Sequence, residues 1–209
     1  MSEQNPGLAD PLPSLDPASP IDVADLTALH ARLIAGAKTE GLIDIAYRTV
    51  DSPVGPLLVA ATSTGLVRVA FEIEDFDRVL AALAALVSPR ILHTPHRLDI
   101  VARALDDYFA GRRTGFDLPL DHALSSGFRE RVQRHLVQIP YGQTTTYGQL
   151  AADLGSPRAV RAVGTACSTN PLPIIQPCHR VLRGDGALGG YLGGAHVKRS
   201  LIALETGNR

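Results

Sequence analysis

The stretch NPLPIIQPCHRVLRGDG, residues 170–186, places Cys178 directly before His179, with Pro177 before it and Arg180 after. A free thiol titrates near pH ~8.5, so only a few per cent is thiolate at neutral pH, and a nucleophilic cysteine needs a base or a positive field beside it. His179 supplies a base, and Arg180 and Arg183 supply charge. Pro171, Pro173 and Pro177 restrict the backbone and predict an extended, low-entropy approach to the sulfur. Neighbours on an extended segment point apart, so a relay from Cys178 to His179 passes through a bridging water. The base needs an orienting partner. HVKRSLIALE, 196–205, offers one, with Val197, Leu201 and Leu204 as an apolar helical stripe and Glu205 at its C-terminal end. The helix dipole disfavours a carboxylate there by roughly 0.3–1 kcal/mol, so another group must hold it. The chemistry proposed is a Cys178–His179–Glu205 triad; the plain alternatives are a packing cysteine and an exposed helix-end acid.

The composition narrows the setting. A chain of 209 residues suits one large or two small domains. Cys167 and Cys178 are its two cysteines, too few for a disulfide framework, and the one close histidine pair, His93 and His96, lies far from both. Neither a metal nor another cofactor is expected. No apolar run is long enough to cross a bilayer, and the acidic, proline-rich start lacks the marks of a signal peptide, so a cytoplasmic protein is expected. The net charge of −1 hides an asymmetry. From Ser126 onward ten Lys or Arg face four acidic residues, a balance of +6 against −7 for the rest, as on a basic face that meets a polyanion or merely solvent.

These residues need a scaffold. Residues 1–40 read as an extension, with a disordered tail followed by a short helix. LIDIAYRTV, GPLLVAATS and GLVRVAFEI predict an antiparallel meander, and DFDRVLAALAALVS and RLDIVARALDDYFAGRR two helices, giving an α+β domain over 41–120. Residues 121–209 read as a mostly helical domain. Within it TTTYGQLAADLGSPRAVRAVGTACSTN predicts a helix-turn-helix, with Thr145 or Thr146 capping the first helix, Gly155 ending it, and Ser156 capping the second with Pro157 at its first position. On the second helix Val160, Val163 and Cys167 share an inward face, which makes Cys167 a buried small hydrophobe. Arg158, Arg161, Ala162 and Thr165 face outward, fit for close docking or for solvent.

PIIQPCHRVLRGDGALGGYLGG closely resembles the active-site signature of the O6-alkylguanine-DNA alkyltransferases, and IPYGQTTTYGQLA, SPRAVRAVGTA, NPLP and KRSLIALE extend the resemblance in order and spacing from about Phe128 to Glu205. It implies direct-reversal repair of double-stranded DNA containing O6-alkylguanine. One alkyl group would pass irreversibly to Cys178 per molecule, after rotation of the base out of the duplex. It further implies that His179 and Glu205 form the water-linked relay, that Asn170 braces the turn, and that Tyr147 donates a proton toward guanine N3. Tyr191 would line the base pocket, with the carbonyls of Cys178 and Val181 reading the exocyclic amine. Arg161 would enter the base stack, with Arg158, Thr146, Ala159, Ala162 and Gly164 at the DNA surface, in the minor groove. Gln176 and Leu192 depart from the family's usual residues, which bears on the polarity of the pocket. Two rival classes remain: a cysteine hydrolase, which would turn over, and a DNA-binding regulator or damage sensor, which would not need the thiol.

Overall fold

The computed structural model describes residues 22–39 and 41–207; the tail expected over the first twenty residues lies outside them. The described chain is an α+β protein. It opens with helix α1 (Val23–Thr39) and strands β1 (Ile45–Val50), β2 (Leu57–Ala61) and β3 (Leu66–Phe71). Helix α2 (Phe76–Leu86), strand β4 (Ile91–His93) and helix α3 (Asp99–Phe109) follow. The sheet order is β3-β2-β1-β4, with the predicted antiparallel meander extended by β4, which pairs parallel to β1. Three residues after Pro89 carry too little pattern to announce a strand.

Both faces of this sheet are buried, and the two-residue period of a strand divides them. Leu58 and Ala60 pack with Val79 and Leu83 of α2, whereas Leu57 and Val59 pack with Leu98, Val101, Leu105 and Tyr108. Asp75 starts α2 by accepting hydrogen bonds from the backbone of Asp77 and Arg78.

The later half comprises α4 (Gly127–His135), β5 (Thr145–Thr146), α5 (Tyr147–Asp153), α6 (Val160–Ser168), β6 (Val181–Leu182) and α7 (Gly194–Thr206). Val132, Leu136, Leu150, Val163 and Ala166 form its own core, and Cys167 is buried there as expected. Two readings of α6 change. Its helix begins at Val160, because the Ser156 carbonyl accepts from Ala159 and closes a turn through Pro157, so Ser156 is not the cap. Val160 is exposed, since the first helical position stands clear of the core. Thr146 does cap α5, accepting from the Gln149 backbone at 3.1 Å, and Gly155 (φ 66°) turns the chain after it.

The halves are joined by the segment that leads to Cys178. The Pro171 carbonyl accepts from the Val69 backbone (2.9 Å) and from Arg68 Nη1 (3.1 Å), tying the segment to β3. Leu172, Ile174 and Ile175 then enter the core that Leu105 and Tyr108 share with Val197 and Leu201. Replacing Leu105, fully buried in that core, with alanine is expected to cost about 2–5 kcal/mol. Urea unfolding checks this, and a loss below about 1 kcal/mol would contradict the shared core.

Candidate active site

The approach to Cys178 is coiled rather than extended, which corrects the reading of its prolines. The Gln176 backbone donates to the Leu172 carbonyl and the Cys178 backbone to the Gln176 carbonyl, both at 2.8 Å. Ile174 takes φ 73°, a conformation that costs a β-branched residue about 1–3 kcal/mol and persists because its side chain is locked in the core. Cys178–Arg180 then forms one 3₁₀ turn, closed by the Arg180 backbone donating to the Pro177 carbonyl at 3.0 Å.

Asn170 organises this turn. Its side-chain Oδ1 accepts from the Leu172 backbone (3.0 Å), while Nδ2 donates to the Gln176 carbonyl (2.8 Å) and to Cys178 Sγ (3.2 Å). One buried amide therefore fixes the loop and touches the sulfur. Gln176 is itself buried, and its side-chain amide has no partner among the described residues.

The structure brings His179 and Glu205 together: Nε2 of His179 lies 2.9 Å from Glu205 Oε1. Nδ1 of the same ring is buried without a partner among the described residues. Glu205, in the last turn of α7, is held by more than the histidine. Arg180 donates through Nε to Oε2 and through Nη2 to Oε1, both at 2.9 Å, while its Nη1 reaches the Ile139 carbonyl. The Gly142 backbone donates to Oε2 at 3.2 Å and the Tyr108 hydroxyl to Oε1 at 2.6 Å. Arg180 thus faces the carboxylate instead of lending its charge to the thiol.

The remaining residues lie around the same sulfur or on the outer face. Strand β6 pairs parallel with β5, matching Val181 to Thr145, and so sets Tyr147 beside the nucleophile's segment. The Val181 carbonyl accepts from Lys198 Nζ at 2.6 Å, and that ammonium lies 6.0 Å from the Tyr147 ring centre. A carbonyl has two lone pairs, so the Lys198 contact alone does not exhaust it. A Cβ at Gly189 (φ 65°) would meet the Tyr147 hydroxyl at 2.9 Å, so the loop after β6 crosses Tyr147 only as glycine. Tyr191 packs against Phe71 at 5.5 Å and edge-on to His179 at 6.4 Å, its hydroxyl buried without a partner among the described residues. Arg158, Arg161 and Ala162 are exposed, and Thr146, Ala159 and Gly164 are half-buried. Among the described residues no cluster of three or more His, Cys, Asp or Glu could hold a metal, and no helix is long and apolar enough to cross a membrane.

Comparison with known proteins settles the kinship. Residues 127–207 match the family model for the DNA-binding domain of 6-O-methylguanine DNA methyltransferase, and residues 45–122 match that for its ribonuclease-like domain. A methylated-DNA–protein-cysteine methyltransferase of Mycobacterium tuberculosis is 41% identical over 164 residues, 77% of this chain and 92% of that protein. The chain belongs to the O6-methylguanine-DNA methyltransferase family. A constitutive methylated-DNA–protein-cysteine methyltransferase of Bacillus subtilis is 36% identical over 160 residues, 76% of this chain and 94% of that one. The crystal structure of M. tuberculosis O6-methylguanine methyltransferase superimposes with a TM-score of 0.69 at 37% identity, covering 79% of this chain and 94% of its own. The same enzyme in complex with DNA gives 0.68 at 39% identity, over 78% and 94%.

In this family member the surroundings of the sulfur favour the thiol. Burial pushes Cys178 up to about 11, against the opposing pull of the Asn170 hydrogen bond and the Lys198 charge. Burial also lowers His179, with Glu205 pulling it back toward the charged form. Burial works against ionisation of Glu205 as well, but the hydrogen bonds from His179 and Arg180 outweigh it and hold the carboxyl at about 2. Burial raises Tyr147 to about 12, so it keeps its proton.

Sequence singles out neither Tyr108 nor Lys198 as part of this site, and Arg180 only as a charge for the thiol. Periodicity carried a signal for Lys198: positions 198, 201 and 205 share one face of α7, and that face is buried. Replacing Lys198 with methionine removes a charge that favours the thiolate and is expected to move the Cys178 titration further up. Thiolate ultraviolet absorbance against pH measures this, and an unchanged midpoint would show that the sulfur does not feel the ammonium.

Proposed function

We propose that this protein repairs alkylated DNA by transferring the methyl or other alkyl group from O6 of a flipped guanine in duplex DNA to Cys178, once per molecule. The observation that carries the reading is a buried thiol held by Asn170 Nδ2 at 3.2 Å, next to a histidine already tied to a buried carboxylate. The family kinship supports it.

The residues divide the work. His179, oriented by Glu205, takes the thiol proton, through a water. The sulfur then attacks the alkyl carbon as the bond from that carbon to O6 breaks. The released electron pair stays on guanine, which takes a proton at N3 from Tyr147, and the proton on His179 restores the tyrosine. Burial of the sulfur favours this step, because transfer to a neutral thioether disperses a charge that burial opposes. A thioether is not cleaved by water, so the protein acts once. Tyr191 lines the pocket, and the carbonyls of Val181 and Cys178 read the exocyclic amine. Unstacking the base costs a few kcal/mol, less at a damaged pair, and Arg161 offsets part of it by filling the gap. Arg158, Thr146, Ala159, Ala162 and Gly164 form the surrounding DNA face. Residues 41–120 and 121–209 act as its two domains, and the setting is the cytoplasm, without a cofactor.

Intact mass after mixing with a duplex carrying O6-methylguanine is expected to show one added methyl, located on the Cys178 peptide, with guanine restored. Unmodified protein, or repeated turnover, would overturn the reading. Replacing Arg161 with alanine is expected to slow repair of duplex DNA at least ~10-fold while leaving reaction with free O6-benzylguanine within about twofold, since only the duplex demands base flipping. Equal losses on both substrates would remove Arg161 from that role.

A further inference from the structure

The carboxylate oxygen that holds His179 is shared. Glu205 Oε1 accepts from three donors: the Tyr108 hydroxyl at 2.6 Å, His179 Nε2 at 2.9 Å and Arg180 Nη2 at 2.9 Å. A carboxylate oxygen has about two well-placed lone-pair sites, so three donors compete. The Tyr108 hydroxyl makes the shortest of the three contacts. It comes from α3, 97 positions away in sequence and outside the half of the chain that carries Cys178.

Tyr108 is fully buried, its ring packed by Phe109, Phe116 and Tyr141 with centres 5.3–6.1 Å away. A phenylalanine would fill that space equally well. The hydroxyl is therefore not needed for packing, and its proton is directed at the relay.

We propose that Tyr108 is a positioning residue for alkyl transfer, its hydroxyl drawing on Glu205 Oε1 and so setting how strongly that oxygen binds His179. The inference rests on the reading of Cys178 as acceptor and His179 as its base. The groups facing the pair are few. Glu205 meets Tyr108, His179, Arg180 and the Gly142 backbone. His179 meets Glu205, the edge of Tyr191, and the charges of Arg180 and Lys198. Tyr141 lies beside both Tyr108 and the Arg180 guanidinium. Of these, Tyr108 is the group that brings a hydroxyl proton to the carboxylate oxygen holding His179.

The sign follows from the competition. Without the hydroxyl, Oε1 binds the Nε2 proton more tightly and favours imidazolium, making His179 a stronger base that loses its proton at higher pH. Transfer requires the neutral ring, so the rising limb of the rate against pH moves upward. The decisive experiment measures the single-turnover rate of methyl transfer to Cys178 between acid and neutral pH, with thermal unfolding alongside. Three proteins are compared: the unaltered chain, Tyr108→Phe, and the chain with 3-fluorotyrosine placed at position 108 alone. Tyr108→Phe is expected to raise the limb by about half a pH unit, about threefold in rate on its acid side. Fluorotyrosine, a stronger donor of nearly the same shape, is expected to lower it.

Opposite displacements with the ring retained are not produced by a purely structural role. A limb at one pH in all three proteins, with only stability altered, would overturn the proposal. If Tyr108→Phe does not fold, the fluorotyrosine protein carries the test alone, and an unmoved limb there overturns it equally. Absence of methyl on Cys178 in the unaltered chain would instead strike the reading on which the proposal rests.

Discussion

Glu205 occupies the last turn of α7, where the partial charge of the helix end opposes a carboxylate, and it is buried as well. Nothing local would keep an acid ionised there. Five donors from three separate stretches of chain do so: Tyr108 on α3, the Gly142 backbone, and the adjacent His179 and Arg180, the last through two nitrogens. A buried charge without partners costs several kcal/mol, so each of those stretches must be in place before the carboxylate can exist. The geometry of the 3₁₀ turn follows, because His179 and Arg180 are drawn toward one acceptor while Cys178 is left to Asn170. The site is thus an outcome of the whole fold and not of one loop.

Two polar groups with opposite duties result. Asn170 touches the sulfur and pulls it toward ionisation, while the surrounding core pushes it the other way. The balance favours the protonated sulfur. Gln176 adds a buried amide with no partner among the described residues two positions before the sulfur, so this pocket is more polar than the adjacent isoleucines suggest.

Much of this was legible in the residues. Pro-Cys-His pointed to Cys178 and His179, the stripe on α7 pointed to Glu205 beside them, and the period of two and the period of 3.6 outlined the meander and the helices. The failures have physical causes. Proline predicted an extended approach because it restricts φ, but the side chains of Leu172, Ile174 and Ile175 coil the segment by entering a core formed elsewhere. Ser156-Pro157 resembles a helix start, yet the same pair begins an ordinary turn, and local sequence does not separate the two. β4 is too short to show a pattern. Tyr108 looked like one more apolar position on α3, since a buried hydroxyl declares its purpose only when its distant acceptor is known.

The seat of Cys178 within the core of the later half has a consequence during maturation. In a newly made chain whose core has not yet closed, Cys178 is an ordinary solvent-facing thiol, titrating near pH ~8.5 and open to oxidants. Once that core packs, the same atom is sealed from water, and burial raises its affinity for a proton. Assembly therefore guards the sulfur from incidental chemistry in the same event that equips it for its own.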